Sequence, residues 1–272
     1  MKENIDMKKL IAVLLALVMV MAMVACGAKE VEAPATQPAT EAATEAATEA
    51  ATEEVTEAPT EAEVEAPAEV AVMTHADYVA AELDSEVVIE TYVQAHQSWW
   101  DNKITVYCQS PDGAYFLYEL ACDQDAAADL VPGTKIRVTG FKGEWAGEVE
   151  VMDGTFEFVE DGDTFIAEPL DVTDLLGTDE LIAHQNEYVA FKGMTVKAVE
   201  YKNGEPGDDI YITLTKDGAD YAFCVEFYLT GADTVVYTTA CELAEGDVVD
   251  VEGFLYWYEG MNPHITSIVA AE

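Results

Sequence analysis

From about residue 85 onward, apolar and polar positions alternate in short runs broken by turn residues. Ile136 and Val138 alternate with Lys135, Arg137 and Thr139, the period of a half-buried strand. Val248 and Val249 follow the same rule less cleanly. Longer apolar-rich runs, Glu86 to Gln94 and Glu187 to Val199, predict extended first strands. Ahead of each stands a helix-like entry, Thr74 to Leu83 and Thr173 to Ala183, with Thr74 and Thr173 as N-caps. Asp112-Gly113 and Asp217-Gly218 predict tight hairpins, in which both central residues take positive φ.

The same order of signals occurs twice. Thr105 to Tyr118, Leu130-Val-Pro-Gly and Lys135 to Phe141 are matched by Ile210 to Phe223, Leu243-Ala-Glu-Gly and Asp247 to Phe254. Each half runs strand, Asp-Gly turn, strand, Leu-x-x-Gly, alternating strand and Gly-Phe. A short aromatic connection then reaches Gly147 or Gly260. A long first strand, a hairpin, a link between the third and fourth strands and a closing pair resemble the OB-fold, a five-stranded Greek-key barrel. Trp145-Ala-Gly147 and Tyr258-Glu-Gly260 are similar to the aromatic-x-Gly that follows the fourth strand in secreted bacterial OB domains. The expected fold is therefore all-β with short helices: two tandem five-stranded OB-fold-like barrels over 72–165 and 166–272. A single sandwich built from both halves is the competing architecture.

The N-terminal part follows different rules. Lys8 and Lys9 precede an unbroken apolar run, Leu10 to Val24. A transmembrane helix needs about 20 such residues, so the run fits a removable export signal better than a membrane span. Glu3 and Asp6 suit a signal poorly, which places the expected start of translation at Met7. Met23-Val-Ala-Cys26 resembles the lipobox of bacterial lipoproteins of the Gram-positive type, with Met where Leu is usual. That resemblance implies a signal peptide over 1–25, lipid (palmitate) on Cys26 and anchoring to the outer side of the cell membrane. The competing reading is an ordinary signal cut near Ala25.

Residues 26–71 are an acidic Thr/Glu/Ala/Pro stretch in which Thr40-Glu, Thr44-Glu, Thr48-Glu and Thr52-Glu recur at regular spacing. Glutamates stacked at i, i+4 and the prolines Pro34, Pro38, Pro59 and Pro67 oppose a helix. With no large apolar side chains to bury, the stretch reads as a disordered, charge-extended tether. At roughly 3.3 Å per residue its greatest reach is on the order of 150 Å.

Charge changes the expected partner. The formal net charge is −42, and Arg137 is the chain's only arginine. OB barrels that hold nucleic acid use a positive groove, so this composition leads to the expectation of no nucleic-acid partner. Acidity serves solubility, or points to a cationic partner such as calcium or a basic peptide.

Candidate binding residues come from the loops that OB barrels use, those joining strands one and two and strands four and five. In the first half these hold Trp99, Trp100 and Trp145; in the second they hold Tyr201, Tyr256, Trp257 and Tyr258. Rings there can stack on sugars or planar groups, or they can cover the barrel ends as core residues. Adjacent Trp99 and Trp100 point to opposite faces if the segment is still strand.

The expected function is a non-catalytic binding module for a glycan, peptide or small ligand on these aromatic loops. The alternatives are a structural envelope lipoprotein in contact with another envelope protein, or a cation-binding one. No catalytic motif, resident metal site or cofactor motif is recognisable. His75, His96, His184 and His264 are scattered, and the pairs Asp123/Asp125 and Asp161/Asp163 lack the spacing of a calcium loop. Cys108, Cys122, Cys224 and Cys241 fit either disulfides or buried thiols, with thiols favoured.

Overall fold

Two rounds of the same strand order build the folded part of the chain. The computed structural model describes residues 71–271; the expected export signal, Cys26 and the expected tether lie outside the described residues. In the first round, helix α1 (His75–Ala80) starts at Thr74, whose hydroxyl accepts from the Asp77 backbone N–H while the Asp77 carboxylate accepts from the Thr74 N–H. This reciprocal cap is the expected N-terminus.

Strands β1 (Glu86–His96), β2 (Lys103–Ser110), β3 (Gly113–Ala121), β4 (Lys135–Trp145) and β5 (Glu148–Phe158) close into a barrel in the order β1-β2-β3-β5-β4. A short helix, α2 (Gln124–Ala127), links β3 to β4. The alternation supplies the core: Val87, Ile89 and Val93 of β1 meet Ile104, Val106 and Cys108 of β2, with Tyr115, Leu117, Ile136, Val138 and Val151. Each fully buried aliphatic side chain contributes about 1.5–3 kcal/mol.

The second round uses β7 (Tyr188–Tyr201), β8 (Ile210–Lys216), β9 (Ala219–Val225), β10 (Val248–Phe254) and β11 (His264–Ala270). Its order is β10-β11-β9-β8-β7, with β10 also paired to β7, so it closes as the first does. A two-residue strand, β6 (Leu170–Asp171), adds to β7 in parallel. Helices α3 (Phe227–Thr230) and α4 (Val235–Glu242) link β9 to β10. The fold is two OB-type barrels in tandem, not one sandwich. The repeated Gly-Phe marks where the fourth strand slips register against the fifth. A Cβ at Gly253 would collide with the His264 carbonyl oxygen, and one at Gly140 would come within 2.7 Å of Val151 Cγ1.

Several local expectations change. The first hairpin turns on Pro111-Asp112, because Ser110 pairs with Gly113. Proline cannot take positive φ, and Asp112 does not, so this is not the positive-φ turn that Asp112-Gly113 predicts. The second hairpin does turn on Asp217 and Gly218, at φ 52° and 82°. Thr173 caps no α-helix: its hydroxyl donates to the Asp171 carboxylate. The segment instead forms two 3₁₀ turns, Thr173–Leu175 and Leu181–His184, separated by Gly177 at φ 75°. Cys241 lies inside α4, and all four cysteines of the described residues are free thiols.

The barrels meet over the outer face of β2, β3 and β5. Tyr107 and Phe116, which point away from the first core, are covered by Phe254 of the second barrel, with Tyr188 and Tyr256 alongside. Tyr107 and Phe254 stack at 4.6 Å between ring centroids. Hydrogen bonds frame the patch: the Tyr188 N–H donates to Gln109 Oε1, Asn186 Nδ2 to the Val149 carbonyl, and the Glu259 N–H to the Ala146 carbonyl.

Candidate functional site

The β1–β2 connection is a tight turn. Trp100 and Lys103 exchange both backbone hydrogen bonds, at 3.0 and 2.8 Å, around Asp101 and Asn102. Both central residues have positive φ, 46° and 60°, the twist that joins two strands in two residues. The turn holds Trp100 out of the barrel with 75% of its surface exposed. Its neighbour Trp99 turns inward, packs on the first core and donates from Nε1 to the Cys122 carbonyl at 2.8 Å.

Trp100 forms one wall of a cleft of about 350 Å³ lined also by Gln97, Lys103, Thr105, Tyr118 and Tyr228. Its floor is the same outer face of β2 and β3 that the second barrel covers further along. On β3, Phe116 lies under Phe254 and Tyr256, whereas Tyr118, two residues on, is left 43% exposed. The opposite wall is Tyr228, carried by α3 of the second barrel. Helix α3 is fixed at its start by the Glu226 carboxylate, which accepts from the Leu229 N–H at 2.6 Å. The Ser98 N–H donates to the Tyr228 carbonyl at 2.7 Å, so the turn and the helix are stapled across the cleft.

Lys103 is the one basic side chain lining the cleft among the described residues, and its ammonium is held by Glu119 at 2.6 Å. That carboxylate raises the lysine's pKa and keeps it cationic. On the far side of Lys103, Tyr118 and Glu119 the groove continues past Asn102, Asp153, Gly154 and Thr155. Aromatic faces with one cation and a few amides suit a planar ligand held by stacking.

The aromatic residues expected to form a ligand rim divide among different environments. Trp100 stands in the cleft. Tyr256 is half-buried between the barrels, stacked on His264 at 4.2 Å and edge-on to Phe116 at 5.1 Å. Trp257 lies against Gly147, where a Cβ would come within 2.8 Å of its ring. Trp145 and Tyr258 stand exposed beside this seam. Tyr201 is packed on the second core. Tyr118 and Tyr228 escaped the sequence reading, since neither sits on the loops taken as the binding rim. Among the described residues no group of three or more His, Cys, Asp or Glu is placed to hold a metal; Asp161 is engaged by Lys135 and by the Asp163 N–H.

No family model matches the chain, and no curated protein matches it. Solved structures do. A murine DNA-binding protein bound with double-stranded DNA is 11% identical, covering 68% of this chain and 96% of its own, with a TM-score of 0.34. The p204 HINb domain is 9% identical over 70% of this chain and 99% of its own, TM-score 0.33. A replication protein A heterotrimer bound to single-stranded DNA is 12% identical over 69% of this chain and 49% of its own, TM-score 0.28.

Two expectations are corrected by these findings. The exclusion of nucleic acid is corrected: stacking on the open rings beside Lys103 needs no positive groove, and the solved structures similar to this chain include ones bound with DNA. The assignment to a glycan, peptide or small ligand on one aromatic rim falls with it, since the structure gathers no such rim. The physical fault lay in treating net charge as a local quantity: stacking depends on exposed ring faces, which −42 does not describe.

Proposed function

We propose that this chain is an exported, lipid-anchored, non-catalytic OB double barrel that holds bases of single-stranded nucleic acid by stacking. The supporting observation is the cleft in which Trp100, Tyr118 and Tyr228 stand open around Lys103, on the barrel face and loop that OB folds use for ligands. Export and anchoring rest on Lys8, Lys9, the apolar run and Cys26, with the acidic stretch as tether.

With a single lysine against an acidic surface, affinity comes from the bases and is opposed by phosphate. Quenching of tryptophan emission by oligothymidylate should be saturable and lost in Trp100→Ala, at about 1–3 kcal/mol per stacked base. Affinity should stay level or rise with salt, the reverse of counterion release. A steep fall with salt, or quenching unchanged by Trp100→Ala, would refute the stacking site.

A further inference from the structure

The open cleft is one end of a longer aromatic strip. Tyr118, Phe116 and Tyr107 lie on one outer face of β2 and β3; the second barrel covers the last two and leaves the first free. Gln97 links the two parts: it lines the cleft and donates to the Tyr107 hydroxyl at 3.3 Å.

The cover is seated in part on a buried carboxylate. Glu148 and Glu150 lie two apart on β5, on the same face, 0% and 4% exposed. Glu148 Oε2 accepts from the Trp257 N–H at 2.8 Å and from Gln185 Nε2 at 3.1 Å, both from the second half of the chain. Its Oε1 is buried with no hydrogen-bond partner among the described residues. The titratable groups facing this pair are Tyr78 from α1, Tyr118 from β3 and Tyr256 from the segment after β10, and none is a cation. The Lys142 ammonium is engaged instead by the carbonyls of Tyr78, Val79 and Ala81.

We infer that the second barrel is a removable cover on the first barrel's ligand face, released when Glu148 and Glu150 ionise, and that Tyr107 and Phe116, two rings in place of the Tyr228 that leaves with the cover, then join Trp100 and Tyr118 in a site for a longer single strand. Burial supports the direction, holding Glu148 at about 8 and Glu150 at about 7 in the docked state. A carboxyl whose docked pKa is raised favours docking at low pH and loses that contribution as pH rises through the docked value. The ligand class rests on the base-stacking reading of the open cleft; the docking does not.

The test uses the full chain at about pH 6 and about pH 9, which bracket both groups. Small-angle scattering reads docking, and hydrogen exchange at β2 and β3 reads exposure. Short and long oligothymidylates read the site. Expected are a larger radius of gyration and faster exchange at β2 and β3 at the higher pH, with far-UV circular dichroism unchanged. The long oligonucleotide should also gain at least about fivefold over the short one, the low end for one more stacked base. Glu148→Gln/Glu150→Gln should stay docked at both values. Scattering independent of pH, or a double variant that opens like the wild type, overturns the inference. Opening without the gain for long strands overturns the extended site. Opening with no binding of either oligonucleotide at either pH refutes the stacking function and upholds the carboxylate-gated docking.

Discussion

Tyr107→Phe removes one oxygen from the middle of the inter-barrel contact. Tyr107 is 1% exposed, and its hydroxyl lies 2.6 Å from His264 Nδ1. Burial pushes the His264 pKa down to about 3 and the Tyr107 pKa well up, so near neutral pH the histidine is neutral and the phenol protonated. The phenol therefore donates to Nδ1 while accepting from Gln97. The phenylalanine ring keeps the stack on Phe254, so the change opens almost no cavity and isolates the hydrogen bond. It leaves Nδ1 buried without a donor, which costs about 1–3 kcal/mol. For a folded part of this size that corresponds to a Tm drop of roughly 2–4 °C per kcal/mol. Urea denaturation monitored by both circular dichroism and tryptophan emission gives the free energy. Adding His264→Phe should recover part of the loss, because two apolar partners leave no orphan. A Tyr107→Phe protein within about 0.5 kcal/mol of wild type would refute the hydrogen-bond assignment.

Stability against pH should pass through a maximum on the acid side of neutral. His264 has a depressed folded pKa, so its contribution is present above the ordinary histidine value of about 6.5 and is lost as pH falls toward about 3. Glu226, raised to about 7 chiefly by burial, acts oppositely: its contribution is full below the ordinary carboxylate range and lost as pH rises through about 7. A Tm that climbs steadily from acid to about pH 8 would contradict these assignments. Gly253→Ala should destabilise by about 1–3 kcal/mol or more, since its Cβ meets the His264 carbonyl oxygen, whereas Gly204→Ala has open space and faces only its positive φ. Equal urea midpoints for the two variants would dismiss the close approach at Gly253.

Barrel topology was legible because it is written in local signals that occur twice. Asp217-Gly218, the Leu-x-x-Gly pieces and the paired Gly-Phe fix turns and bulges without reference to anything distant. The Thr173 segment misled because Thr-Asp-Leu-Leu satisfies a helix start, while Gly177 and the competing carboxylate of Asp171 break it within one turn. The site was less legible, for a geometrical reason. Phe116 and Tyr118 share one face of β3, and only the footprint of the second barrel makes one buried and the other open. That footprint is a contact between distant parts of the chain. Loop position alone likewise could not separate Trp100 from Tyr256, since both follow a barrel strand and only one is stacked between barrels.

The placement of charge joins these observations. Basic side chains in the folded part are largely committed to acids or carbonyls: Lys135 and Arg137 to Glu90, Lys202 to Asp208 and Asp209, Lys142 to the end of α1. An acidic surface that has used its cations this way repels a polyanion at long range, so association is slow and unassisted by steering. What it leaves at close range is ring area, open at Trp100, Tyr118 and Tyr228 and covered by the second barrel at Tyr107 and Phe116. Ionising Glu148 and Glu150 would add negative charge beside the strip while uncovering it, so opening strengthens stacking and repulsion together. Salt separates the two, because screening removes only the repulsion. The gain of long over short oligonucleotides at alkaline pH should therefore widen as ionic strength increases. A gain that shrinks with salt would place the added contacts on phosphate and not on Tyr107 and Phe116.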